Sequence, residues 1–208
     1  ISEEYQYRRK ARIGVQYNKL NQPIVGFRQL ASNNLIPIKS CEVLAPEAMS
    51  VFTDIELILS KLSQKKSVGH VEVLVSEGPE SENSDNKLLT LVVRQLIKLT
   101  KKDQKVWTEA AKNNKWNLVL DEGATLRSIY HPIKNCEEIN SEGVTNVEVK
   151  DKLQSKDFKQ QNNALELSYS LFDKTQIFFL PNNFIQVNAK INDLMVAQAI
   201  DWLKPTKE

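Results

Sequence analysis

The sequence predicts an α+β domain, a largely antiparallel sheet with two or three packed helices and a further helix at the C-terminal end. Three observations predict it. Residues 5–17 alternate apolar and polar side chains, as a half-buried strand does. Residues 48–62 and 187–202 instead carry apolar side chains at helical spacing. The order of strand and helix patterns, opening on a three-stranded meander, fits an antiparallel sheet.

In the first strand Tyr5, Tyr7, Ala11, Ile13, Val15 and Tyr17 point one way, and Gln6, Arg8, Lys10, Arg12 and Gln16 the other. Arg9 breaks the apolar side. Asn18 to Pro23 makes a turn, Ile24 to Arg28 returns, and Leu35 to Ile38 completes the meander. Pro46 and Glu47 suit the first turn of a helix whose buried stripe is Ala48, Phe52, Ile55, Leu59 and Leu62. Val68 to Ser76 and Lys87 to Gln95 read as strands around a polar, acidic loop. Thr100-Lys-Lys-Asp103 resembles a capping box and opens a helix to about Asn113. Trp116 to Leu120 reads as a strand, residues 121–163 as a long irregular insertion or an irregular hairpin of weak periodicity, and 164–172 and 176–179 as strands. The last helix follows Val187, Ile191, Leu194, Met195, Gln198, Ala199 and Trp202, with one apolar face expected to pack.

Hydrophobic residues at 41% and charged residues at 26% describe a globular chain with ample core. No apolar run reaches the roughly 20 residues that a membrane-spanning helix needs. The net charge of +2 is uneven: residues 1–40 carry seven Lys/Arg against Glu3 and Glu4, a net of +5, leaving −3 for the rest. A basic head suggests contact with a polyanion along one edge, and equally fits a solvated strand face. Cys41 and Cys136 are the two cysteines, and with no export signal visible they read as reduced cytoplasmic thiols.

The residues that suggest chemistry lie near the end, in Leu180-Pro-Asn-Asn-Phe184-Ile-Gln186-Val-Asn188. Phe184 offers a face for stacking, and Gln186 offers a donor and an acceptor to an amide-like base edge. The same pair also fits a core Phe and a capping Gln in an ordinary turn. Asn188 and Asn192 sit one helical turn apart, placed to hold the loop through side-chain-to-backbone bonds. His70 and Glu72 share one face of a strand and read as a structural surface pair rather than an acid–base couple.

Taken in order, Tyr7-Arg-Arg-Lys-Ala-Arg12, Gly26-Phe27-Arg28, Ser40-Cys41-Glu-Val-Leu-Ala-Pro46, Gly69-His70-Val-Glu72 and Phe184-Ile-Gln-Val-Asn188 resemble the middle of the RNA uracil-5-methyltransferase family. The likeness is greatest to its iron–sulfur members acting on 23S ribosomal RNA, and it is thin between about residues 77 and 163. The resemblance implies that Phe184 and Gln186 contact a flipped target uridine, with Gln186 also beside the methyl donor S-adenosylmethionine. It implies that Cys41 is the distal fourth ligand of a [4Fe–4S] cluster whose other three thiolates lie upstream of this chain. Arg8, Lys10 and Arg12 would then face successive phosphates.

The expectation is therefore a central RNA-facing domain over residues 1–180 and the start of a truncated catalytic domain over 181–208, cut from a longer cytoplasmic enzyme. The family's Ser-Cys-Asn-Pro nucleophile and the glycine motif for its cofactor are absent from this sequence, so no catalytic residue is expected here and the piece should be inactive alone, with no cofactor bound. Ribosomal RNA is the expected partner, with no membrane and no obligate protein partner. A non-catalytic RNA-binding module is the alternative, and a protein-interaction domain a third reading.

Overall fold

The computed structural model describes residues 3–77, 87–123, 125–132, 165 and 167–205. Among them β1 (Lys10–Tyr17), β2 (Pro23–Arg28) and β3 (Leu35–Pro37) form the expected meander. A 3-10 turn at Pro46–Ala48 precedes α1 (Val51–Lys61), then come β4 (Val68–Glu77) and β5 (Lys87–Gln95). α2 (Lys101–Asn114) leads to β6 (Asn117–Asp121) and β7 (Leu126–Tyr130). β8 (Leu167–Ser170), β9 (Gln176–Phe179) and α3 (Ala189–Leu203) complete the described chain. The α+β class is as the sequence predicts.

The sheet runs β3-β2-β1-β4-β5-β6-β7, with β8 pairing both β4 and β9. Every pair is antiparallel except β5–β6, which is parallel. A parallel pair needs a long crossover, and α2 supplies it. Gly26 sets the β2–β3 contact, because a Cβ there would collide with the Ile36 carbonyl. That backbone approach explains a glycine inside a strand.

Period-two alternation divides the core between the two faces of the sheet. Ile13, Val71, Val73, Leu91, Val93, Leu118 and Leu120 pack beneath the helices with Phe52, Ile55, Leu59 and Trp107. Every residue of the α1 stripe named above is buried, and truncating Leu59 to Ala would cost about 2–5 kcal/mol. On the opposite face Leu74, Val92 and Val119 meet Leu165, Leu167, Phe179 and Ile185. This smaller core seats the β8–β9 hairpin and the turn that follows it on half of the sheet's second face.

Four expectations change. The first strand is shorter: β1 begins at Lys10, and Tyr5 is exposed. Part of the expected irregular insertion is regular: β7 pairs with β6, while residues 133–163 lie outside the described residues, as do Cys136 and the acidic loop 78–86. The expected strand 164–172 is described only as β8. The last helix has its predicted spacing, but its apolar face is not packed. No α3 residue is buried, and Ile191, Leu194, Met195 and Trp202 are all exposed. Helical periodicity shows that a face exists and not that this chain covers it.

Candidate nucleic-acid interface

The turn before α3 is built from its own side chains. Asn183 accepts the Leu180 amide at 2.7 Å, and its amide returns to the Leu180 carbonyl at 2.9 Å. Asn188 caps α3 by accepting the Ile191 amide, the loop-holding role its position predicts. Between them the chain is extended: Ile185 is buried in the second core, so Phe184 and Gln186 project outward on either side of it. Phe184 is 83% exposed. A large ring held that far in water by a buried neighbour is a surface for stacking and contributes little to the core, which removes the core-Phe alternative.

Two cations from the start of β1 hold this turn. Arg9 donates Nε to the Gln186 carbonyl at 2.8 Å, and its amide bonds the Val187 carbonyl at 2.9 Å. Its guanidinium lies over Tyr169, 3.9 Å from Cζ to the ring centroid. Burial lowers its pKa, against the opposing pull of Tyr169, Asp193 and Glu77. Lys10 donates Nζ to the carbonyls of Asn183 at 2.8 Å and Pro181 at 3.1 Å. Burial depresses that ammonium's pKa and Glu72 partly restores it. Tyr7, Arg9, Ser76, Glu77, Tyr169 and Lys190 line a cavity of about 260 Å³ beside the turn.

The three cations expected to face phosphates therefore divide their roles. Lys10 is committed to the loop carbonyls. Arg8 is half-buried and bonds the Lys10 carbonyl through Nε. Arg12 keeps a side chain 67% exposed, gripping Glu72 at 2.6 Å. Glu72 gathers Lys10 at 3.7 Å and His70 at 3.9 Å as well. His70 and Glu72 thus share a face as a surface pair, as the sequence suggests. Burial first, and then the Arg12 charge, lower the His70 pKa, against the opposing pull of Glu72 and Asp121. Across the open half of this face Arg94 pairs with Asp121 at 2.7 Å. The result is an ion-paired floor beside the exposed Phe184, not a bare row of cations.

Arg9 was the residue that broke the alternation of β1, and it is the one that reaches across to the turn. That break was the available signal. The carbonyls of the turn that Arg9 and Lys10 bond lie more than 170 residues away and left no mark in the sequence.

Cys41 is half-buried between β3 and α1 and packs against the main core. Among the described residues no three His, Cys, Asp or Glu side chains gather as a metal site. A [4Fe–4S] cube needs four converging thiolates, so the described residues do not by themselves fit that group.

No family model matches the chain. It is 32% identical over 206 residues to the 23S rRNA (uracil(1939)-C(5))-methyltransferase RlmD of Colwellia psychrerythraea, covering 97% of this chain and 38% of that protein. The protein of the same name from Shewanella sediminis is 33% identical over 204 residues, covering 98% of this chain and 37% of the relative. Among solved structures, the Pyrococcus abyssi tRNA (uracil-54, C5)-methyltransferase in complex with S-adenosyl-L-homocysteine matches with a TM-score of 0.55 at 10% identity, over 96% of this chain and 41% of that one. That likeness shows the fold. The family resemblance read from the motifs is borne out, and the chain spans somewhat over a third of the length of these curated relatives.

Proposed function

Because this chain is similar over nearly all its length to RNA uracil-5-methyltransferases, we propose that it is the central part of an S-adenosylmethionine-dependent 23S rRNA uracil-5-methyltransferase. In that role it contributes RNA contacts and one wall of the pocket for the target uridine. The observation that carries the proposal is the presentation of Phe184 and Gln186: both face outward from a turn that Arg9 and Lys10 hold. Phe184 stacks on a base turned out of its helix, and the Gln186 carboxamide pairs with the amide-like edge of uracil.

Arg12, exposed beside this turn, meets the neighbouring backbone phosphate, and Arg8 supports it from the inner side. Lys10 positions the loop. S-adenosylmethionine, when bound, supplies the methyl group, and Gln186 lies on its side of the pocket. Cys41 in the longer protein serves as one of four thiolate ligands. Ribosomal RNA in the cytoplasm is the partner of this reading.

Photo-crosslinking tests it. A 23S-derived hairpin carrying 4-thiouridine at its unpaired uridine, irradiated with this chain, should crosslink within residues 181–188. Crosslinks confined to other segments would contradict the pocket assignment. Crosslinking at 181–188 without methyl transfer by the full-length protein would leave the non-catalytic RNA-binding module.

A further inference from the structure

α2 opens with Lys101 and Lys102 in its first turn. Cations there face the positive end of the helix dipole, where acidic residues are the stabilising choice. Asp103 is the one acidic residue of that turn, and it is turned inward, away from the surface the lysines share. Its carboxylate is buried and accepts the Ser63 amide at 2.7 Å, the Ser63 hydroxyl and the Gln64 amide at 3.1 Å. Those bonds tie the loop after α1 to the start of α2 and bring two lysine-rich segments together.

Residues 61–66 and 98–102 hold six lysines and no carboxylate. Lys61, Lys66, Lys98, Lys101 and Lys102 are exposed, and among the described residues none of them has an ion-pair partner. Lys66 also holds φ at 62°, a left-handed conformation that glycine or asparagine adopts more readily. In this patch lysines stand at three places where local physics disfavours them, and mutual repulsion adds to the conflict. Such breaks of local rules mark functional surfaces.

The patch lies at the opposite end of β4 from the turn. Leu96 and Ile97 bond the Ser67 carbonyl just before β4 begins, whereas Arg9 meets β4 at Val75. Eight residue steps separate Ser67 from Val75, about 26 Å. We propose that this lysine patch is a second polyanion-binding surface, taking the phosphate backbone of a duplex RNA segment while the turn engages its nucleotide. The proposal rests on the RNA reading above. The two segments contain no aromatic side chain, so they suit a duplex backbone and not stacked single-strand bases. Flexible ammonium groups track phosphates as point charges.

Fluorescence anisotropy of this chain with two RNAs tests it. One is a hairpin with a stem of about two helical turns, and the other a six-nucleotide single strand containing uridine. The combined Lys61→Gln, Lys66→Gln, Lys101→Gln and Lys102→Gln variant should bind the hairpin at least ten-fold more weakly in low salt. Its slope of log K against log salt should shrink by about 3. Binding of the short strand should stay within two-fold of wild type. Thermal melts should be unchanged or higher, since repulsion is relieved, and Lys101→Glu with Lys102→Glu serves as a second variant that suits the helix dipole. An unchanged hairpin slope in both variants, or no salt-dependent hairpin binding by the wild-type chain, overturns the proposal. Binding of poly-glutamate through these lysines, with hairpin affinity untouched, would assign the patch to an acidic protein and overturn it too. Phe184→Ala separates the two readings. It should weaken the short strand and leave the hairpin's salt slope unchanged, and no effect on the short strand beside a collapsed hairpin slope in the lysine variants would remove the turn's role while leaving the patch.

Discussion

Arg9 bonds the carbonyl of Gln186 at 2.8 Å across 177 residues of sequence, joining the entry of the first strand to the turn before the last helix. The guanidinium is buried, so the bond is made where water cannot replace it cheaply. Removing one partner therefore exposes the turn to local opening and leaves the rest of the sheet intact.

Arg9→Met keeps the packing on Tyr169 and removes the donor. Hydrogen exchange at the Asn183 and Ile191 amides should accelerate by ten-fold or more, with global stability falling by only about 1–3 kcal/mol. Lys10→Met should add to the acceleration at Asn183. Unchanged exchange in both variants would mean that the turn holds itself.

Asp103 makes folding depend on acid. Burial would raise its pKa, but the bonds from Ser63 and Gln64 outweigh that and hold it below the ordinary carboxylate value. A depressed folded pKa contributes stability above the unfolded value and loses it as pH falls through the folded one. Urea titrations should show stability dropping below about pH 4 in the wild type. Asp103→Asn should be less stable at pH 7 by about 1–3 kcal/mol and show a shallower acid loss. A variant with the wild-type pH profile would show that this carboxylate is not the linked group.

Gly26→Ala places a methyl group against the Ile36 carbonyl. Neither atom is at the end of a flexible side chain, so β3 must shift. The expected loss is about 2 kcal/mol or more, read as a lower melting temperature. A melt within a degree of wild type would show that the β2–β3 approach relaxes freely.

The sheet and helices were legible because their residues obey local periods. The α1 stripe from Ala48 to Leu62 is buried throughout, and Thr100 caps α2 by accepting the Asp103 amide at 3.1 Å. The same logic failed for α3, whose spacing is equally regular while its face stays open to solvent. Phe184 and Gln186 stand out in the sequence as candidates by residue type and motif, and both prove to be exposed. What held them in place was not legible. Lys10 reads as one of three surface cations until the fold brings Pro181 and Asn183 to its ammonium. β7 was hidden because Leu126 to Tyr130 is half-buried along its whole length and shows no alternation.

Single-turnover methylation by the full-length protein of a hairpin carrying the target uridine tests the central claim about Gln186 most directly. Gln186→Glu keeps the shape and replaces the amide donor with a group that only accepts, so it should lower the rate by at least ten-fold. That loss corresponds to about 1.4 kcal/mol or more of transition-state stabilisation. A matched thermal melt excludes unfolding, because the Gln186 side chain is exposed and only its carbonyl meets Arg9. Wild-type turnover by a well-folded Gln186→Glu protein would show that Phe184-Ile-Gln186 is an ordinary strand-to-helix turn and contradict the account.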